Sequence, residues 1–166
     1  MIFVEDIPLD EIKENAVSDF PDECVGFLYG TEQGDTRVIS KIWKVSNARQ
    51  GDKKRRFEIT GKDYMQAERY ALDNDITLLG IYHSHPDHPA IPSEHDRIAA
   101  QPYFSYIIIS VTRGAVDHIR SWRLNDEAQF EEEIFSPAYI TNPSNGNSNY
   151  SNTTQKIYQS NGQASD

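Results

Sequence analysis

A single cysteine, Cys24, stands in 166 residues, so no internal disulfide can form and the core alone must hold the fold. A lone thiol fits a reducing cytoplasm, the expected location. No apolar run approaches the roughly 20 residues that cross a bilayer. The N-terminus, Met1-Ile2-Phe3-Val4-Glu5-Asp6, has neither the basic region nor the apolar segment of a secretory signal. Basic residues are scarce as well: 16 Lys and Arg against 26 Asp and Glu give a formal charge of −10. That balance excludes a general nucleic-acid binder, because neutralising phosphates needs a basic face. No membrane partner is expected either. There is no internal repeat and no Cys-x-x-Cys pair.

What is present is a soluble globular chain, 37% hydrophobic and 25% charged, long enough for one domain with a real core. From Pro8, the residues Leu9, Ile12, Ala16, Val17 and Phe20 recur at helical spacing until Pro21. Val25 to Gly30 reads as a strand, Gln33-Gly34-Asp35 as a turn, and Arg37 to Val45 as the hairpin partner. A basic loop over Arg49 to Arg56 leads to a short strand, Phe57 to Thr60, and a helix over about Gly61 to Asn74. Thr77 to Tyr82 is an apolar strand, and a Pro-rich loop separates it from a short helix over Glu94 to Ala100. Tyr106 to Val111 is apolar almost throughout, which predicts a central strand buried on both faces. His118 to Leu124 alternates and should pair with it antiparallel through the turn at Arg113-Gly114-Ala115. The acidic residues Asp126, Glu127, Glu131, Glu132 and Glu133 read as a solvated helical face. From Ser136 the composition turns to Asn and Ser, predicting a disordered tail over 136–166 behind a domain of 1–135.

The chemistry gathers at His83-Ser84-His85-Pro86, with Ser93 and Asp96 downstream. On an extended segment, residues two apart leave the same face, with Cα atoms roughly 6–7 Å apart. Two imidazoles so placed can converge on one zinc at about 2.0–2.1 Å, and Asp96 can return on the next helix as a third ligand. Three protein ligands leave the fourth tetrahedral position to water, as in a catalytic zinc site, with one ion per chain. Zinc brings the pKa of such a water to about 7. Ser93 and Asp96 also fit a helix-capping pattern, and on their own that is the better account. His-x-His on its own is common too. The conjunction of apolar strand, His-x-His-Pro, Pro-rich loop, Ser and Asp favours the metal. Cys24 reads as a buried structural thiol, with no histidine placed to activate it. His88 and His95 flank the ligands, His88 on an exposed loop and His95 off the Ser93/Asp96 face, and His118 reads as structural.

The spacing His83-x-His85-Pro86, six residues, Ser93, two residues, Asp96 is similar to the JAMM motif of the MPN-domain (Mov34/Pad1) metallopeptidases. Upstream, Phe20-Pro21-Asp22-Glu23-Cys24-Val25-Gly26-Phe27-Leu28-Tyr29-Gly30 resembles the glutamate-bearing stretch of the same family. The likeness spans about residues 5–125 and points to the compact prokaryotic branch. It implies an α+β fold of three layers, a mixed central β-sheet flanked by helices, similar to the cytidine deaminases. It also implies that His83, His85 and Asp96 bind zinc. Glu23 would be the general base towards the metal-activated water, and Ser93 would stabilise the oxyanion of the tetrahedral intermediate. Val25 departs from the small residue or cysteine often found at its position, which touches packing more than chemistry.

Relatives of this kind cleave bonds at the C-terminus of ubiquitin-like β-grasp proteins or sulfur carriers with a Gly-Gly tail, so such a protein is the expected partner. A narrow groove offering a strand edge would suit that tail. Arg49, Lys53, Lys54, Arg55 and Arg56 form the one basic cluster, read as a solvated loop or as a steering patch for an acidic partner. Tyr82 and Tyr103 read as core rather than groove. The alternatives are a zinc hydrolase of a small amide and a non-catalytic MPN interaction scaffold. The deaminases' Cys-x-x-Cys ligands are missing here, and a scaffold needs no intact ligand set. The expected assembly is a monomer or weak homodimer.

Overall fold

In a computed structural model, residues 1–138 are described, and they form one eight-stranded sheet with a helix on each side. In chain order the elements are β1 (Ile2–Glu5), α1 (Asp6–Asp19), β2 (Val25–Gln33), β3 (Thr36–Val45), α2 (Gly61–Asp73) and β4 (Thr77–Pro86). They continue with α3 (Glu94–Ala99), β5 (Ser105–Thr112), β6 (Ala115–Leu124), β7 (Phe130–Glu133) and β8 (Phe135–Ala138). The strand order is β7-β6-β5-β4-β2-β3-β1-β8. The sheet is mixed: β4 and β5 run parallel, as do β1 with β3 and β1 with β8, while the other neighbours are antiparallel. No helix among the described residues is long and apolar enough to cross a membrane.

The two faces of the sheet separate by strand alternation. Leu28, Ile39, Leu79, Tyr82, Ile107 and Ile109 meet Leu9, Ile12 and Ala16 of α1. Phe27, Tyr29, Leu78, Ile81 and Tyr106 meet Ala67 and Ala71 of α2. These two alanines let α2 lie close to the sheet, and Tyr64 and Tyr70 flank them edge-on to Phe27 and Tyr29. A capping box starts α2: the Thr60 hydroxyl accepts from Asp63 N, and the Asp63 carboxylate accepts from Thr60 N. β5 is buried from Ser105 to Val111, as its apolar run predicts, and pairs antiparallel with β6.

Several elements differ from the sequence reading. β1 is too short to announce itself, yet Ile2 and Val4 are wholly buried because β3 and β8 enclose them. Phe57 to Thr60 is not a regular strand; Ala48 N donates to Glu58 O, and Glu58 N donates to the Asn47 side chain across the loop. The acidic segment is not a helical face. The Asn125 side chain accepts from Glu127 N and Gln129 N, closing a turn that sends Phe130–Glu133 back along β6. Phe130 anchors that strand edge-on against Tyr106. β8 carries the sheet to Ala138, three residues past the expected domain end. The rest of the expected tail lies outside the described residues.

Near the start of β4, Arg37 is 0% exposed. Its guanidinium donates to Glu32 Oε1 (2.8 Å), Leu79 O (3.1 Å), Ser105 Oγ (2.9 Å) and Tyr103 O (2.8 Å). The Tyr103 ring, 44% exposed and therefore not core as the sequence reading has it, covers the guanidinium at 4.4 Å. Removing one member of a buried ionic network strands the others. Arg37→Met is therefore expected to lower the unfolding free energy by about 3–5 kcal/mol in urea titrations. Arg37→Lys should recover only part of it, because an ammonium cannot reproduce the fork of donors.

Candidate metal centre

The C-terminal end of β4 delivers two imidazoles to one face. His83 and His85 lie on the α2 side, and the intervening Ser84 faces the α1 side. His83 is fully buried, with its ring 4.6 Å from that of Phe57, and His85 is 8% exposed. Their Nε2 atoms stand 3.1 Å apart. From α3, Asp96 brings Oδ1 to 3.6 Å from His83 Nε2 and Oδ2 to 3.7 Å from His85 Nε2.

One atom from each residue thus falls within 4.8 Å of the others, a group that could hold a metal ion. In a tetrahedron with bonds of about 2.0–2.1 Å the ligand atoms sit about 3.3 Å apart, and the observed separations bracket that value. The donor chemistry fits too. Burial lowers the pKa of His83 to about 4, against the pull of Asp96, so the ring is neutral at pH 7 and offers a lone pair. His85 points Nδ1 at Pro89 O (2.8 Å), leaving Nε2 free to ligate. Burial acts to raise Asp96, but the His83 and His85 imidazoles and the Ser93 hydrogen bonds outweigh it and hold the carboxyl well below its usual range.

Ser93 is at once the N-cap of α3 and a neighbour of this group. Its hydroxyl donates to Asp96 Oδ2 (2.6 Å), its N–H donates to the same oxygen (2.6 Å), and Asp96 N donates back to Ser93 Oγ (3.2 Å). The capping account is what the structure displays directly, and the box orients Asp96 towards the histidines. The residue stays exposed, open to a ligand.

Glu23 lies just before β2, whose Val25 is paired with His83, so the base candidate and the imidazoles share one end of the sheet. It is 4% exposed, and its Oε2 is buried without a hydrogen-bond partner. Burial first, then the charges of Asp96 and Asp52, push its pKa up to about 9. The backbone is held instead: Glu23 N donates to Lys53 O (2.8 Å), and Asn47 Nδ2 donates to Glu23 O (3.1 Å). Glu23 also lines an open cleft of about 520 Å³ with Asp19, Asp22, Lys44, Asn47 and Lys53.

Ser84 and Asn47 also shape the site, though neither is a candidate from the sequence. Ser84 Oγ accepts from Cys24 N (2.8 Å) while Ser84 N donates to Cys24 O (3.1 Å), which locks Glu23's neighbour onto the ligand strand. The alternation of His-Ser-His was the available signal, since it sends Ser84 to the opposite face. Asn47 had none beyond its type. Tyr82 is core, with its hydroxyl accepting from Asn15 Nδ2. His88 is exposed, and the metal-capable group includes neither it nor His95.

Cys24 is fully buried, and burial pushes its thiol up to about 11 despite the Ser84 bond. The folded protein should therefore react with iodoacetamide at pH 8 at least about 100-fold more slowly than the unfolded chain. Rapid alkylation of the folded state, measured by mass, would contradict a structural thiol.

Residues 8–125 match the family described as prokaryotic homologs of the JAB domain. The CysO-cysteine peptidase of Mycobacterium tuberculosis is 31% identical over 121 residues, 72% of this chain and 80% of that protein. The desampylase of Haloferax volcanii is 31% identical over 103 residues, 61% of this chain and 72% of its own. Among solved structures, a JAB1/MPN domain protein from Archaeoglobus fulgidus superposes with a TM-score of 0.53 at 18% identity, covering 81% of this chain and 97% of that one. At that identity the likeness speaks for the fold, which is the MPN fold expected from the motifs. The chain belongs to the prokaryotic JAB-domain family, and it is a hydrolytic enzyme of the JAMM type.

Proposed function

We propose that this chain is a zinc-dependent isopeptidase or peptidase that hydrolyses an amide bond at the C-terminus of a ubiquitin-like or sulfur-carrier β-grasp protein. The observation that carries this reading is the convergence of His83, His85 and Asp96 within 4.8 Å, beside the buried and unpartnered carboxylate of Glu23. The relatives named CysO-cysteine peptidase and desampylase support the substrate class. A zinc ion on the three side chains would supply a Lewis acid for the scissile carbonyl and acidify a water at neutral pH.

The protein's own groups do the rest. Glu23 takes the proton of the attacking water and passes it to the leaving nitrogen. Burial, then the charges of Asp96 and Asp52, hold this carboxyl at about 9, where it grips a proton firmly; a cation held by His83, His85 and Asp96 would act to lower it. Ser93 stabilises the oxyanion. Its hydroxyl donates to Asp96 Oδ2, and a cation held by Asp96 would weaken that acceptor, leaving the Ser93 donor available to developing charge. The exposed Lys54, Arg55 and Arg56 sit on the loop whose Lys53 carbonyl holds Glu23 N, so an acidic partner steered there arrives beside the base.

The substrate for the test is a β-grasp protein extended one or two residues beyond Gly-Gly, with cleavage followed by mass. Glu23→Gln should cut kcat by about 10²–10⁴-fold while the protein keeps its zinc. Ser93→Ala should cut kcat by about 10²–10³-fold and remove about 1 kcal/mol of cap stability. Undiminished cleavage by Glu23→Gln sinks the mechanism, and turnover of small amides with none of any β-grasp fusion sinks the substrate class.

Chelation should abolish cleavage and zinc should restore it. Zinc at about 100 times its Kd should add about 2.7 kcal/mol to stability, read as a rise in Tm over the metal-free protein. Full activity in excess chelator would overturn the metal assignment.

A further inference from the structure

His85 and His118 grip opposite ends of one peptide unit. The carbonyl of Pro89 accepts from His85 Nδ1 (2.8 Å), and the N–H of that same peptide, on Ala90, donates to His118 Nε2 (3.0 Å). The peptide is trans, so its N–H and C=O point in opposite directions and turn together as one plane. A rotation that releases the N–H from His118 also swings the carbonyl away from His85. Ala90 is 0% exposed, so its N–H has no water to replace His118.

The sense of each bond follows from the donors. A backbone N–H can only donate, so His118 Nε2 carries no proton and Nδ1 does. That Nδ1–H meets Asp117 Oδ2 at 2.9 Å, which selects the tautomer. At the far end Pro89 O can only accept, so the proton of His85 is on Nδ1 and its lone pair is on Nε2, the atom that faces His83 and Asp96. The chain of bonds runs Asp117 carboxylate, His118, the Pro89–Ala90 peptide, His85, with every link polarised the same way.

The rest of the loop is fastened around this plane. Trp122 Nε1 donates to Ala90 O (3.0 Å), Ser110 Oγ to His88 O (2.7 Å), and Asp87 N to Val111 O (2.8 Å). Ile91 N also donates to Pro89 O (2.8 Å). His118 and Trp122, four apart on β6, leave the same face of the strand.

The geometry points to His118, oriented by Asp117, as a positioning residue that sets the tautomer and aim of His85 through the Pro89–Ala90 peptide. This rests on His85 being a metal ligand. Zinc affinity, measured by chelator competition, should be about 10–100-fold weaker in His118→Leu than in the natural protein. His118→Gln, whose amide oxygen accepts the Ala90 N–H, should stay within about threefold. Cobalt in the site should show visible bands that shift in His118→Leu and return in His118→Gln, which loss of fold stability alone would not produce. Equal zinc affinity of the Leu and Gln proteins overturns the relay, provided His85→Ala loses zinc. Unchanged zinc binding by His85→Ala overturns the relay and the ligand assignment together. Should His118→Leu fail to fold, Asp117→Asn, on an exposed side chain, is expected to weaken zinc binding about fivefold. Wild-type affinity in that protein overturns the proposal.

Discussion

The antiparallel register of β2 on β4 is the constraint from which the site follows. Val25 opposite His83 puts Glu23, two residues earlier, beside the end of the strand that carries both imidazoles. A slip of one residue would send His83 and His85 to the α1 face and Ser84 to the α2 face, since side chains alternate with a period of two. Two bonds between Ser84 and Cys24 close the pair at its histidine-bearing end. Close packing enforces it further along. A Cβ on Gly26 would lie 2.4 Å from the Tyr82 ring, and one on Gly80 would lie 2.0 Å from Ser105 O, so only glycine at these positions admits so close an approach.

Once that register holds, the electrostatics follow from burial. His83 is fully buried, with Phe57 against its ring, and stays neutral, which is the ligating state. Asp96 stays ionised beside it because Ser93 and the imidazoles stabilise its charge. Glu23, buried without a partner, is driven the opposite way. Two carboxyl groups at one end of a sheet are thus pushed apart in acidity, one suited to hold a cation and one to exchange a proton.

The sequence disclosed those parts that local pattern encodes. The residues of the metal-capable triad were visible because strand alternation, a proline and a helix cap each constrain spacing within fourteen residues. Glu23 was visible only through the longer motif, because a glutamate after a helix has no local signature. The central strand β5 followed from its apolar run. The losses are equally physical. β1 and β8 are four residues each and gain their order from each other and from β3. The run Glu131–Glu133 looked helical because charge patterning cannot register a turn closed by one asparagine and an anchor supplied by Tyr106. Arg37 and His118 carry no local signature, since what distinguishes them is contact with residues 28 to 68 positions away.

The two ends of β4 divide the work. At its beginning, Leu79 O and Ser105 Oγ are tied by Arg37, which satisfies every group it meets and fixes β3, β4 and β5 together. At its far end, Glu23 Oε2 and His83 Nδ1 are buried and unsatisfied, the kind of atom that normally destabilises a fold. A Glu23 carboxylate that exchanges a proton, as proposed, cannot also use that oxygen to hold the site together. The holding is done by other groups: Asn47 and Lys53 on the backbone of Glu23, Ser84 on Cys24, and the β6 side chains on the loop behind His85. The polar network around Arg37 and the unsatisfied atoms at the site are therefore two parts of one arrangement, in which order secured at one end of a strand permits reactivity at the other.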